Sequence, residues 1–217
     1  MPYSPPDWIS ALRPVLKRGQ EALRWPFSEG WCQTELFGVL KNRATETGWV
    51  PIPTEPWYVT KYPAQKIDPN GGNKLADLCL FNQERDEWSW LELKMAYARN
   101  AGNRLGEFVR DSCALIGIDM DATAEKWSRE DKARAFLKPL ANNLRGAVHH
   151  FSVLLIQIDA EPDAKIWQEE ALSKKAKARL RQFGVSDSKL PEWNVTVTPQ
   201  VDFGVWILHA GWTEERD

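Results

Sequence analysis

Nowhere in its 217 residues does the chain hold an apolar run approaching the roughly 18 residues that a bilayer-crossing helix needs. Residues 1–10, with Pro2, Pro5, Pro6 and Asp7, lack the basic start and hydrophobic stretch of a secretory signal, so a cytoplasmic protein is expected. Cysteine is scarce. Cys32, Cys79 and Cys113 are odd in number, widely spaced and set in apolar patterns, which argues against a disulfide framework and predicts buried free thiols in a reducing compartment. His149 and His150 are adjacent and His209 stands alone, with no histidine–cysteine spacing for zinc. Gly71-Gly72 ahead of Lys74 lacks the pattern of a phosphate loop, and no serine stands in a Gly-x-Ser-x-Gly context. Positive charge is not in excess either. A net charge of −2 argues mildly against nucleic-acid binding by a bulk field and says nothing against a local basic patch.

What is present in quantity is core. Apolar residues make up 43% of the chain, enough to bury a substantial interior. Twelve tryptophans are spread along it, read mainly as packing residues, with base stacking on a few exposed rings as the alternative.

Periodicity predicts a mixed α/β (α+β) domain with a mixed central sheet and helices packed on it. Residues 7–24 form a helical lead-in around Pro14, and Trp31 to about Thr45 is a helix with Cys32, Leu36, Val39 and Leu40 on one face. Several prolines between 51 and 63 permit only irregular or edge strands, around Trp57–Thr60. Asp68–Asn73 is a turn, Lys74–Phe81 a strand covered on both sides, Asn82–Glu87 a hairpin turn and Glu87–Met95 the return strand. A helix follows over Asn103–Ile116, then a helical stretch over 119–147 interrupted at Pro139, a buried strand over Phe151–Ile158 and an amphipathic helix over 163–183. Trp193–Thr198 and Phe203–Leu208 pair across Pro199-Gln200. One domain is expected over 1–217: a core of about 31–160, a lead-in of 1–30, and a C-terminal helix and β-hairpin over 161–217.

Alternation along Glu87–Met95 puts Trp88, Trp90, Glu92 and Lys94 on one face and Leu91 and Leu93 on the other. Glu92 and Lys94 then stand roughly 6.5–7 Å apart along the strand. Pairing through the Asn82–Glu87 turn brings Asp77 near Glu92. Two carboxylates in apolar strands repel each other and resist desolvation, and a divalent cation such as Mg²⁺ relieves both. The Lys94 ammonium beside them can assist water activation and offset developing phosphorane charge. Glu35 lies on or beside the apolar stripe of its helix, as a rim residue or as an acid held by a cation.

Asp77, fourteen intervening residues, then Glu92-Leu93-Lys94, with Glu35 on a preceding helix, resembles the PD-(D/E)XK nuclease superfamily. Its core of helix, three-stranded meander, helix and further strand matches the order read from Trp31 to Ile158, though Ala76 stands where the motif often has proline. The resemblance implies a restriction-endonuclease-like core and Mg²⁺-dependent phosphodiester hydrolysis, with Mn²⁺ as a substitute and DNA a better substrate than RNA. It implies that Asp77, Glu92 and the Leu93 carbonyl ligate metal, that Lys94 assists the attacking water, and that Glu35 matches the acid many members place on the first core helix.

Between Lys174 and Arg181 there are five basic residues and no acid, with Lys174, Lys177 and Arg181 on one helical stripe. That stripe is either a solvated helix face or a contact to the nucleic-acid backbone. Other readings are a non-catalytic nuclease-fold binding or assembly module, and a nuclease toxin or defence effector held by a protein inhibitor. Many members of the superfamily cut as homodimers, yet no heptad or long apolar face marks an interface here.

Overall fold

The computed structural model describes residues 6–19, 29–53, 56–61, 73–97, 101–129, 140, 146–157, 174, 177–178, 181–182, 195–200 and 205–214. Helix α1 (Trp8–Gly19) opens on Asp7, whose Oδ1 accepts the Ser10 N–H at 2.9 Å as an N-cap, and it runs through Pro14. Trp8, Ala11, Leu12, Val15, Leu16 and Gly19 recur at helical spacing and are buried. Helix α2 (Glu29–Thr47) begins two residues before the predicted start. It stops at Gly48, whose φ of 73° suits a residue without a side chain and whose N–H donates to the Ala44 carbonyl at 2.9 Å.

The strands are β1 (Val50–Pro51), β2 (Trp57–Val59), β3 (Asn73–Leu75), β4 (Leu78–Asn82), β5 (Glu87–Ala96), β6 (Val148–Gln157), β7 (Val195–Gln200) and β8 (Val205–Glu214). Six of them form a mixed sheet in the order β1-β4-β5-β6-β8-β7, in which only β5 and β6 run parallel. A parallel pair needs a crossover, and the chain between them carries α3 (Ala101–Ile116) and α4 (Met120–Arg129). Asp119 caps α4 by accepting the Ala122 N–H at 3.0 Å.

The predicted strand Lys74–Phe81 is two strands in two sheets. β3 pairs with β2 as a separate ribbon, Tyr58 facing Lys74, whereas β4 pairs with β5 from Leu78↔Leu91 to Asn82↔Glu87. The chain leaves one sheet for the other at Ala76–Asp77, where the Ala76 N–H is taken by the Pro56 carbonyl at 3.1 Å. Residues 83–86 make the β4–β5 turn, closed by Asp86 at a φ of 55°. Gly146, just before β6, lies so close to this turn that a Cβ would stand 1.9 Å from the Asp86 carbonyl oxygen. β7 continues through Pro199 and Gln200, with Pro199 opposite Trp206, so these two residues are not the turn. Proline is tolerated there because β7 is an edge strand.

Apolar alternation covers both sheet faces. On one, α1 and α2 pack over Leu78, Leu80, Leu91, Leu93, Met95, Val153 and Leu155. On the other, Trp88 and Trp90 stack at 6.2 Å and meet Trp127 of α4, alongside Ala114, Leu115 and Tyr58. Removing one such buried ring would cost about 3–5 kcal/mol. Trp8, Trp49, Trp88, Trp90 and Trp127 are buried and Trp31 half-buried, as expected for packing residues. All three cysteines are buried thiols. Among the described residues no helix is long and apolar enough to cross a membrane. Residues 68–72 of the predicted Asp68–Asn73 turn, the stretch around Pro139 and most of the predicted 163–183 helix lie outside the described residues, and Asn73 already opens β3.

Candidate functional site

Because β4 begins at Leu78, β5 has no neighbour on that side beyond Leu91 among the described residues. The uncovered edge of β5 is where side chains from both helical layers and from the β2–β3 ribbon meet. Lys94 is the centre. Its Nζ stands 3.3 Å from Glu29 Oε1, 3.5 Å from Asp77 Oδ2, 3.6 Å from Glu92 Oε2 and 3.9 Å from Asp111 Oδ2. It also donates to the Leu93 carbonyl at 3.3 Å, while the Leu93 N–H donates to Asp77 Oδ2 at 2.6 Å. Asp77, Glu92, Lys94 and the backbone of Leu93 are thus brought together at this edge, while the Leu93 side chain packs on the opposite face among the residues under α1 and α2.

The four acids are not equally served. Asp111, on α3, is bonded by Lys74 Nζ at 2.8 Å and by Arg110 Nε at 3.2 Å. Glu29 has Arg104 Nη1 at 4.0 Å. Among the described residues, Lys94 is the only basic group that ion-pairs with Asp77 or Glu92, although the Tyr58 hydroxyl donates to Glu92 Oε1 at 3.4 Å.

Electrostatics follow from that deficit. Burial, then the Asp77 carboxylate, pushes Glu92 well above the ordinary carboxylate range, against the pull of Lys94. Burial likewise raises Asp77, although Lys94 and the Leu93 N–H oppose it. For Lys94, burial acts downward but is outweighed by Glu92, Asp77, Glu29 and Asp111, which hold its ammonium above the usual lysine range. Both partners of the Lys94–Asp77 pair are therefore raised, which an isolated ion pair would not show. One ammonium shared among four carboxylates leaves Asp77 and Glu92 short of positive charge. Burial raises Tyr58 as well, with Glu92 adding to it.

Among the described residues no group of three or more His, Cys, Asp or Glu side chains is already arranged to hold a metal ion. The acids converge on the Lys94 ammonium instead. In chemistry the donors nonetheless fit a hard divalent cation: Asp77 and Glu92 carboxylates with the Leu93 carbonyl, all oxygen, in a place that lacks positive charge.

Glu35 is not brought to this cluster. Its Oε2 accepts from Arg18 Nε at 2.8 Å across the α1–α2 contact, with both side chains partly exposed. Glu29 reaches the cluster from the same helix. Glu29, Cys32, Leu36, Val39 and Leu40 share one helical stripe, and starting the helix at Trp31 hid the acid at its head. Asp111 carried a similar signal, as an acid between Phe108 and Leu115 on a buried stripe of α3. Tyr58 and Lys74 carried none, because only the cross-strand register of a short ribbon aims them here. Lys174 and Arg181 are exposed, Lys177 is half-buried, and all three are helical.

No protein-family model matches the chain, and neither a curated protein nor a solved structure matches it.

Proposed function

We propose that the chain is a Mg²⁺-dependent nuclease with a restriction-endonuclease-like core, hydrolysing phosphodiester bonds, DNA in preference to RNA. The observation that carries this reading is the charge deficit at Asp77 and Glu92, two buried carboxylates with one shared ammonium. Asp77, Glu92 and the Leu93 carbonyl would hold the ion, with Mn²⁺ as a substitute. When bound, it supplies Lewis acidity and counter-charge for the scissile phosphate.

The rest falls to the chain. Lys94, released from Asp77 and Glu92, keeps Glu29 and Asp111 as carboxylate partners and so stays at the site. From there its N–H groups orient the attacking water and offset charge growing on the phosphorane oxygens. Tyr58 fixes the Glu92 carboxylate from the opposite side. Lys174, Lys177 and Arg181 would contribute contacts to the nucleic-acid backbone rather than to the chemistry.

The test is cleavage of generic single- and double-stranded DNA under Mg²⁺ and Mn²⁺, beside metal affinity by calorimetry. Metal-dependent cleavage that disappears in Asp77→Ala supports the reading. A wild-type protein that binds metal yet cuts no nucleic acid overturns it in favour of a binding module.

A further inference from the structure

On the α2 side of Asp77 the surface opens into a cavity of about 320 Å³, lined by Gln33, Thr34, Phe37, Ile52, Pro53 and Asp77 among others. Gln33 and Phe37 stand one helical turn apart and are half-buried, Ile52 forms a buried floor, and Pro53 is exposed at the rim. The Thr34 hydroxyl is already committed as a donor to the Gly30 carbonyl at 2.8 Å. No hydrogen bond to another described residue holds the Gln33 amide.

We propose that this cavity seats one unpaired nucleobase of the strand being cut, its ring against Phe37 and its polar edge toward Gln33. The proposal rests on the nuclease reading and names the form of its substrate. Three features point to a base. First, the named lining holds no cation, and its only charged group is Asp77, so a bare phosphate has no partner among the described residues there. Second, an aromatic ring, an apolar floor and an amide match the π-face and donor–acceptor edge shared by every base. Third, Asp77 belongs to both the cavity wall and the Lys94 cluster, so a nucleotide whose phosphate meets that cluster has its base within reach of the cavity. The volume lies at the low end of small-molecule pockets, roughly 300–1,000 Å³, which suits one planar ring system and not a duplex. A strand must therefore be unpaired at the cut, either single-stranded or with its base turned out of the stack.

Binding rather than cleavage tests this. Short single strands carrying 2-aminopurine are titrated into the full chain with Ca²⁺ in place of Mg²⁺, beside abasic strands of equal length. Base-bearing strands should bind about tenfold tighter than abasic ones, and Phe37→Ala should remove that advantage together with the change in 2-aminopurine fluorescence. Gln33→Ala, at a helix position where alanine is well tolerated, should weaken base-bearing strands a few-fold and leave abasic strands unchanged. Equal binding of both strand types by the wild type overturns the base pocket, and so does an unchanged advantage in both variants. If such a protein still cuts DNA under Mg²⁺, the nuclease reading survives that failure. Selective, Phe37-dependent base binding without any cleavage instead removes the nuclease reading and leaves a single-strand binding pocket. Absence of any binding overturns both.

Discussion

The Asp77 carboxylate accepts the Leu93 N–H at 2.6 Å, occupying with a side chain the place that a continued β4 would have filled with the backbone carbonyl opposite Leu93. Asp77 therefore has two separable roles, an acceptor for the edge of β5 and a charge for the site. Asp77→Asn retains an acceptor and loses the charge, whereas Asp77→Ala loses both. Urea unfolding should place Asn within about 1 kcal/mol of wild type and Ala about 1–3 kcal/mol below it, the cost of an unsatisfied buried N–H. Both should lose metal binding and cleavage. Equal destabilisation by the two substitutions would show that the Leu93 bond does not hold this edge.

Glu29 and Glu35 stand on the same helix with different partners, so their substitutions should differ. Glu35→Ala breaks an exposed pair with Arg18 and should cost no more than about 1 kcal/mol, with cleavage unchanged. Glu29→Gln removes one carboxylate from Lys94 and should lower cleavage at least about tenfold. Initial rates of DNA cleavage for the two variants decide between them, and a larger loss in Glu35→Ala would return that residue to the site.

Much of this arrangement could be read from the chain, for reasons specific to each element. Glu87–Met95 shows both its length and the face carrying Glu92 and Lys94, because a strand of this length must alternate and its neighbours are large and apolar. The proximity of Asp77 to that face followed from turn length. Local pattern could not show that Lys74–Phe81 divides at Asp77, since Asn73–Leu75 pairs with residues some fifteen positions earlier and leaves no mark in its own alternation. The same non-locality hid Tyr58 and Lys74. Glu29 was hidden differently, by a helix start placed two residues late, an error as small as the uncertainty of any helix end.

His150 is buried on β6 opposite Trp90, and burial, helped by His149 and Lys61, lowers its pKa to about 3. In the unfolded chain it takes a proton near its ordinary value of 6.5. Below that value the unfolded state binds the extra proton, so stability is full above pH 6.5 and falls as the pH drops toward 3. The slope from this residue approaches about 1.4 kcal/mol per pH unit. Glu92 acts oppositely, since a raised carboxylate favours the folded state at low pH and disfavours it as pH rises past 4.5. Urea midpoints for wild type and His150→Leu across pH 4 to 7 isolate the histidine, and the difference between the curves should grow steadily below about pH 6.5. Parallel curves would show that His150 titrates alike in both states.

Lys94→Ala separates holding the metal from using it. An ammonium is no metal ligand, and its positive charge opposes a cation at Asp77 and Glu92, so its removal should leave metal affinity intact or raise it. The apoprotein should suffer more. Lys94 is largely buried and its one charge is shared among four carboxylates, and breaking a buried ion pair from one side costs about 3–5 kcal/mol. Saturating Mg²⁺ should then recover more stability in Lys94→Ala than it adds to the wild type, because the ion restores counter-charge that the variant lacks. Cleavage should still fall by roughly two or more orders of magnitude, the scale of losing one preorganised charge at a transition state. Calorimetry, thermal unfolding with and without Mg²⁺, and DNA cleavage give the three readings on one sample. If Lys94→Ala loses metal affinity as completely as Asp77→Ala, then Lys94 acts by holding the carboxylates in place, and its part in orienting the attacking water must be abandoned.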